Sequence, residues 1–157
     1  RETVHINIIE GAHRLCIDTI ESPRTLKAGM PVGHRSPLYA GASAKCLLAF
    51  CTDEFVKEYL SSTHFESLTE NTITGPDRLK EEIRQIQNKG YARSIGERTP
   101  GLGSLSAPVL DHTGRVLASL SLAIPEIRIS EDEYRHECIK CLTEVAQAFS
   151  RAMGYRR

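Results

Sequence analysis

The sequence lacks an excess of either charge, a long apolar run and an internal repeat. Twenty Lys and Arg residues balance twenty Asp and Glu residues, which gives a net charge of +0. Because a domain that binds nucleic acid mainly through phosphates needs a basic face, this balance argues against direct nucleic-acid binding by this chain. No apolar run approaches the roughly 20 residues of a membrane-spanning helix, and no signal-peptide pattern is present. We therefore expect a cytoplasmic chain with no membrane partner.

The cysteines lack the pattern of a disulfide framework. Five residues, an odd number at irregular spacing, favour reduced, buried thiols. His136, Cys138 and Cys141 resemble part of a zinc site, but tetrahedral zinc needs four ligands, and both thiols have the spacing of core residues on a predicted helix. We therefore predict neither a metal site nor a cofactor.

Catalytic motifs are also missing. The six histidines are scattered, and none has a Ser, Cys or Asp partner in a recognisable nucleophile motif. The sequence therefore predicts no catalytic residue.

What is present is the composition of an ordinary globular domain. The chain has 157 residues, of which 40% are hydrophobic and 25% are charged. This length is enough for one core without disulfides or metal. Arg1 stands where a start methionine is expected, so we interpret the chain as one domain of a longer protein.

Hydrophobic periodicity and turn signals predict strands first, helices in the middle, then a hairpin and a closing helix. A hairpin spans 3–20, and the Pro- and Gly-rich loop 22–33, with a short strand near 25–28, borders a cavity. A capping box at 130–133 starts the closing helix. This order indicates an α+β domain with an antiparallel sheet. The remaining predicted elements are helices over 42–51, 53–62 and 76–89 and strands over 91–97, 104–111 and 115–124.

The last hairpin is rich in small residues. Ser119 and Ser121 share one face of the second strand, and serines share one face of the first. Exposed antiparallel strands normally carry charged or large polar side chains, so we expect burial on both faces. Two interpretations stay open: the small residues make room for a packed helix, or their hydroxyls line a polar pocket.

The helix predicted near Ala42 begins with small residues. The first N–H groups of a helix are unpaired and carry partial positive charge, so a carboxylate can bind there without a basic side chain. Ala40 to Ser43 would let a ligand approach closely. Every helix has such an end, however, and small residues there also serve tight packing.

Several short motifs occur in order along the chain: Gly33 with the segment 36–49, Gly90-Tyr91, the segment 101–109, Asp111 with Gly114, and Pro125 with Arg128. In order and spacing they resemble the effector-binding domain of IclR-family bacterial transcription regulators, from about Thr3 to Met153. The resemblance implies a GAF-like fold, with a central antiparallel sheet flanked by helices and a small-molecule pocket. It also implies a winged helix-turn-helix DNA-binding domain upstream of Arg1, absent from this chain.

The resemblance also implies effector-binding positions. In members that bind small organic acids, the pattern has an acidic residue at Ser94, a thiol at Ser104 and a hydroxyl at Ala123. This chain departs at all three, which favours a bulkier, even aromatic, carboxylate. The positions carried over are Ala42 and Ser43 at the helix start and Ser94, Ser104, Ser121 and Ala123 on the strands.

Two cations near the predicted pocket have open roles. Arg35 precedes the helix and either pairs with a carboxylate at the pocket mouth or is a solvated surface residue. Lys45 matches a lysine of the family's helix motif and equally fits a structural ion pair.

These observations predict a sensing domain that performs no chemistry. Its expected partner is a small-molecule effector, a carboxylate. The protein is expected to contact DNA only through the upstream domain and to form a homodimer or homotetramer. Two alternatives remain: an enzyme acting on a small acid, and a GAF-like oligomerisation module with a vestigial pocket.

Overall fold

The computed structural model describes residues 1–156 as a mixed α+β fold. One antiparallel sheet has the strand order β3-β2-β1-β6-β5-β4, so the first and last strands pair at its centre. The predicted α+β class with an antiparallel sheet is confirmed. The elements are β1 (Thr3–Glu10), β2 (His13–Ile20), β3 (Arg35–Pro37), α1 (Ala42–Ala49), α2 (Asp53–Ser62), α3 (Pro76–Lys89), β4 (Ala92–Ile95), β5 (Leu102–Leu110), β6 (Val116–Pro125), α4 (Glu126–Ile129) and α5 (Asp132–Ala152).

Helices cover both faces of the central strands. Every residue of α1 is buried, between the sheet and α3, whereas α5 packs on β5 from the opposite face. Strands β5 and β6 therefore lie between two helical layers. Ser106 and Ser119 are fully buried on the α1 side. Leu105 and Val109 are buried against α5 on the other side, which confirms the predicted burial of both faces of this hairpin.

Local chemistry explains why the hairpins turn where predicted. Gly11 has φ +58°, the left-handed conformation that a side chain disfavours, at the turn between β1 and β2. Between β5 and β6, the carboxylate of Asp111 accepts hydrogen bonds from the backbone N–H groups of Thr113 and Arg115.

The loop after β2 differs from the prediction. The expected strand near 25–28 does not form; instead Arg35–Pro37 pairs with β2, opposite His13, Arg14 and Leu15. The reason is side-chain chemistry, because the buried guanidinium of Arg14 donates a hydrogen bond to Ser36 Oγ at 2.8 Å. The preceding loop is thereby free to cross over the sheet and, as expected, it borders a cavity.

The closing helix also differs in detail. It starts at Asp132 with Glu131 as its N-cap residue and no side-chain cap, so the predicted capping box does not form. Its buried residues are Leu142, Ala146 and Ser150, whereas Cys141 is exposed and not a core residue. No helix among residues 1–156 is long and apolar enough to cross a membrane.

A buried ionic cluster joins the chain's first residues to the last two helices. The carboxylate of Glu2, whose side chain is 1% exposed, accepts two hydrogen bonds from Arg128 at 2.6 and 2.7 Å and one from the hydroxyl of Tyr134 at 2.5 Å. Arg128 also donates to the carbonyl of Leu26 in the loop after β2. Burial alone raises the pKa of Glu2, but the hydrogen bonds from Arg128 and Tyr134 outweigh it and lower the pKa below its ordinary value of 4.5.

Replacing Glu2 with glutamine is expected to lower the free energy of unfolding at pH 7 by about 1–3 kcal/mol, because it removes a charge-assisted, bidentate pair. A carboxylate with a lowered pKa stabilises the fold above its unfolded pKa, and this stabilisation disappears as the pH falls through its folded pKa. The difference in free energy of unfolding between the original protein and Glu2→Gln, measured with urea, should therefore become smaller below about pH 4.5. A difference in free energy of unfolding that does not change with pH would contradict this account.

Candidate functional site

The sheet register brings the predicted strand residues into two adjacent rows. Ser94 pairs with Ser104, and Ser104 pairs with Ala123, in one row across β4, β5 and β6. Ser121 lies in the neighbouring row, opposite His5 of β1 and Ser106 of β5. Since side chains alternate between the faces of a strand, both rows face the same side of the sheet as α1.

The start of α1 lies directly against these rows. Gly41 has φ 93° and ψ 152°, a conformation that only glycine adopts readily. Its N–H donates to Glu97 Oε2 at 2.9 Å, and the N–H of Ala42 donates to Ser104 Oγ at 3.2 Å. The next N–H, that of Ser43, belongs to the first turn and has no partner within the helix.

A cavity of about 210 Å³ separates this helix end from the sheet. Five of the predicted positions line it: Ser43, Ser94, Ser104, Ser121 and Ala123. The loop 28–31, the residues that follow β4, and the side chains of His5 and His34 contribute further walls.

Two predicted residues have other positions. Ala42 reaches the site through its N–H bond to Ser104 rather than through its methyl group. Arg35 lies outside the cavity lining, is exposed and forms an ion pair with Glu10 at 2.8 Å. Its geometry is that of a surface ion pair.

The serines are partly engaged with each other. The hydroxyls of Ser94 and Ser104 are 3.1 Å apart, and those of Ser106 and Ser121 are 2.8 Å apart. Asn7 Nδ2 donates to Ser121 Oγ at 3.3 Å. The small residues therefore serve both purposes considered from the sequence, because they make room for α1 and present hydroxyls to a cavity.

Two arginines flank His34 beside the cavity. Arg14 Nη2 is 3.1 Å from His34 Nδ1, and Arg98 Nη2 is 3.5 Å from His34 Nε2. A neutral imidazole accepts a hydrogen bond at only one nitrogen. The shorter contact assigns this bond to Arg14, so the Nε2–H group faces the donors of Arg98.

Neither arginine has a carboxylate partner within residues 1–156, where the ion pairs involve other cations. Arg14 is fully buried, and burial, together with the charge of Arg98, lowers its pKa to about 10. It therefore stays cationic at neutral pH. Burial, followed by the two arginine charges, lowers the pKa of His34, which favours a neutral ring.

His5 contributes a further unsatisfied donor. Its Nε2 accepts a hydrogen bond from the N–H of Met30 at 3.1 Å, which places the proton on Nδ1. That buried nitrogen has no partner in the described chain. His5 is 1% exposed and lines the cavity.

Lys45 holds the helix start in place. Its side chain is 1% exposed, and its Nζ lies 2.6 Å from Glu97 and 2.7 Å from Glu82 of α3. Because the second oxygen of Glu97 accepts from Gly41, one carboxylate joins the lysine to the edge of the cavity. Of the two roles left open for Lys45, this geometry is that of the structural ion pair.

The thiols take no part in the site. All five cysteines are free, and Cys16 and Cys46 are buried. Burial raises the pKa of Cys46 to about 12 and that of Cys51 to about 11, so both remain protonated. No group of three His, Cys, Asp or Glu side chains within residues 1–156 is arranged to hold a metal ion.

Several cavity groups were not anticipated from the sequence. Glu97 ends the strand predicted over 91–97 and Arg98 follows it, and Arg14 lies in the hairpin predicted over 3–20 with no pattern that sets it apart. The one available signal was the adjacent charges of Glu97 and Arg98 in a segment rich in glycine and proline.

Comparison with known proteins assigns the chain to a family. Residues 1–151 match the family described as the bacterial transcriptional regulator IclR C-terminal domain. The chain belongs to the IclR family. This IclR domain is 36% identical over 155 residues to the HTH-type transcriptional regulator KdgR of Dickeya chrysanthemi, covering 99% of this chain and 50% of that protein. It is 33% identical over 156 residues to KipR of Bacillus subtilis, covering 98% of this chain and 61% of that protein.

Solved structures of IclR proteins have the same fold. The Thermotoga maritima IclR structure matches with a TM-score of 0.92 at 33% identity, covering 98% of this chain and 62% of that one. The C-terminal domain of Escherichia coli KdgR matches with a TM-score of 0.88 at 32% identity, covering 98% and 88%. The chain spans between half and about six-tenths of the length of the curated relatives KdgR and KipR.

Proposed function

We propose that this domain senses a small carboxylic acid and thereby controls the regulator to which it belongs. The observation that supports the proposal is the cavity at the start of α1. It is lined by Ser43, whose N–H belongs to the first turn of the helix, and by Arg98, which has no carboxylate partner within residues 1–156. Both groups favour an anion, one through the helix dipole and one through its charge. No other cation is needed to hold a carboxylate there.

The cavity is suited to binding rather than to chemistry. Glu97 is its only acidic lining residue within the described chain, and both of its oxygens are engaged, by Lys45 and by Gly41. A carboxylate held in this way is a poor general base. The open volume of about 210 Å³ also disfavours a vestigial pocket filled by side chains.

The rest of the regulator is inferred from its relatives. KdgR of Dickeya chrysanthemi is an HTH-type transcriptional regulator, and the chain covers half of it. We propose that a winged helix-turn-helix domain precedes this domain and binds DNA, and that the protein works as a homodimer or homotetramer. Reading paired half-sites on DNA requires such symmetry.

A thermal-shift panel tests the effector class. Pentanoate, hexanoate, benzoate, glutarate and adipate are each compared with the corresponding amides. An acid present at about 100 times its Kd should stabilise the domain by about 2.7 kcal/mol, and its amide should not. If no acid raises the melting temperature more than its amide does, the carboxylate proposal is wrong.

A further inference from the structure

The charge balance around the cavity is uneven. Lys45 pairs with Glu97 at 2.6 Å and with Glu82, which lies outside the cavity lining, at 2.7 Å. The positive charges of Arg14 and Arg98 have no carboxylate within ion-pair distance in residues 1–156. Buried charges in proteins are normally paired, and an unpaired one is costly. Arg14 is fully buried and Arg98 is half-buried, so two cations without a carboxylate partner beside one cavity need an explanation from function.

The side chain of Arg98 is held where a ligand can reach it. It lines the cavity, and a Cβ added to Gly41 would lie 3.2 Å from its Cδ, so its stem passes directly over the start of α1. Among the described residues, 1–156, its one hydrogen-bonding neighbour is His34 Nε2 at 3.5 Å, a nitrogen that carries a proton when Arg14 is bound at Nδ1. Within that part of the chain, the guanidinium fork thus has no acceptor of its own.

Arg14 lies behind the cavity wall and connects to it directly through Met30 Sδ, at 2.6 Å, and by two further routes. One connection passes through the His34 ring to Arg98. The other passes through Asn7, whose Oδ1 accepts from Arg14 Nη1 at 2.9 Å and whose Nδ2 donates to Ser121 in the cavity lining. The partners of Arg14 accept its hydrogen bonds but are uncharged, so they do not neutralise its positive charge.

We propose that the effector carries two carboxylates and that Arg98, with the charge of Arg14 behind it, selects dicarboxylates over monocarboxylates. One carboxylate binds at the first turn of α1, and the planar fork of Arg98 binds the other in a bidentate manner. A ligand with two negative charges balances the summed positive charge of Arg98 in the cavity and Arg14 behind its wall, whereas a monocarboxylate balances only half of it. This inference rests on the proposed carboxylate sensing and names its substrate class.

The volume of the cavity limits the size of such a ligand. About 210 Å³ is below the roughly 300–1,000 Å³ of sites for drug-sized molecules. We expect a ligand of the size of a linear diacid with a few carbons, or of a diacid on one aromatic ring.

Calorimetric titration with matched acids tests the inference. The pairs are pentanoate with glutarate, hexanoate with adipate, and benzoate with isophthalate, each at constant ionic strength. We expect at least one diacid to bind at least tenfold more tightly than its monoacid. Equal affinities within every pair would overturn the dicarboxylate inference and leave the carboxylate proposal intact, whereas a failure of every acid to bind would overturn both.

Variants at Arg98 identify the residue responsible. In Arg98→Met, the diacid should bind no more tightly than its monoacid. Arg98→Lys keeps the charge and loses the planar fork, so its preference for the diacid should be intermediate between those of the original protein and Arg98→Met. Arg35→Met removes the same charge from the surface ion pair with Glu10 and should keep the full preference. If Arg98→Met keeps the preference, the assignment of Arg98 is wrong.

A stability measurement separates recognition from a structural role. Removing an unpaired cation from beside Arg14 relieves repulsion, so the melting temperature of ligand-free Arg98→Met should equal or exceed that of the original protein. A lower melting temperature would show that Arg98 supports the fold and would overturn its assignment to ligand selection.

Discussion

Replacing Lys45 with methionine is expected to lower the free energy of unfolding by about 3–5 kcal/mol. The substitution leaves the buried carboxylate of Glu97 without its cation, and breaking a buried pair from one side costs about that much. Glu82 also loses its partner, although 27% of its side chain is exposed and water compensates it in part. Urea unfolding monitored by circular dichroism measures the loss.

Two further variants make the test specific. Lys27→Met removes an equal charge from the exposed pair with Glu21 and should change stability little. Lys45→Met combined with Glu97→Gln should regain part of the loss, because a neutral amide still accepts the N–H of Gly41 and leaves no buried charge. A Lys45→Met loss as small as that of Lys27→Met would show that the pair is not a main support of the fold.

Replacing Ala123 with leucine is expected to weaken binding of the tightest acid by at least about 100-fold, or about 2.8 kcal/mol at about 1.4 kcal/mol per tenfold. The new side chain extends from β6 into the cavity and occupies space that the ligand needs. Because that space is empty in the free protein, the fold should be retained. Calorimetry measures the binding, and urea unfolding checks the fold.

Ala123→Ser is the matched control. It keeps the small volume and supplies the hydroxyl that the acid-binding pattern has at this position, so binding should stay within tenfold of the original protein. Wild-type affinity in Ala123→Leu would mean that acids bind somewhere other than at the row formed by Ser94, Ser104 and residue 123.

The sheet and the main helices could be predicted because their signals are local. Alternating apolar residues and the turn at Gly11 determine the first hairpin, and Pro76 and Gly90 mark the two ends of α3. The floor of the site was predictable for the same reason: strand parity groups the serines, and antiparallel pairing of β5 with β6 places Ser106 opposite Ser121.

The charged part of the site could not be predicted, because it depends on contacts between distant segments. Arg14 is buried only because Ser36, Asn7 and His34 surround its guanidinium, and no local pattern shows that. The same long-range contact accompanies the pairing of β2 with Arg35–Pro37, whereas the short strand expected near 25–28 does not form. The sequence pattern thus grouped the serines that line the cavity, whereas the charged residues beside them could not be predicted.

The bond from Arg128 to the carbonyl of Leu26 joins the ionic cluster at Glu2 to the loop that borders the cavity. The loop that contains Leu26 continues to residues 28–31, which line the cavity. If a ligand in the cavity strengthens the contact between this loop and the Glu2 cluster, then loss of the Glu2 carboxylate must lower the ligand affinity by the same factor. The reason is that energetic coupling between two sites is reciprocal. Ligand affinity measured in Glu2→Gln therefore reports, from inside this single domain, how strongly the cavity and the beginning of the chain are energetically coupled.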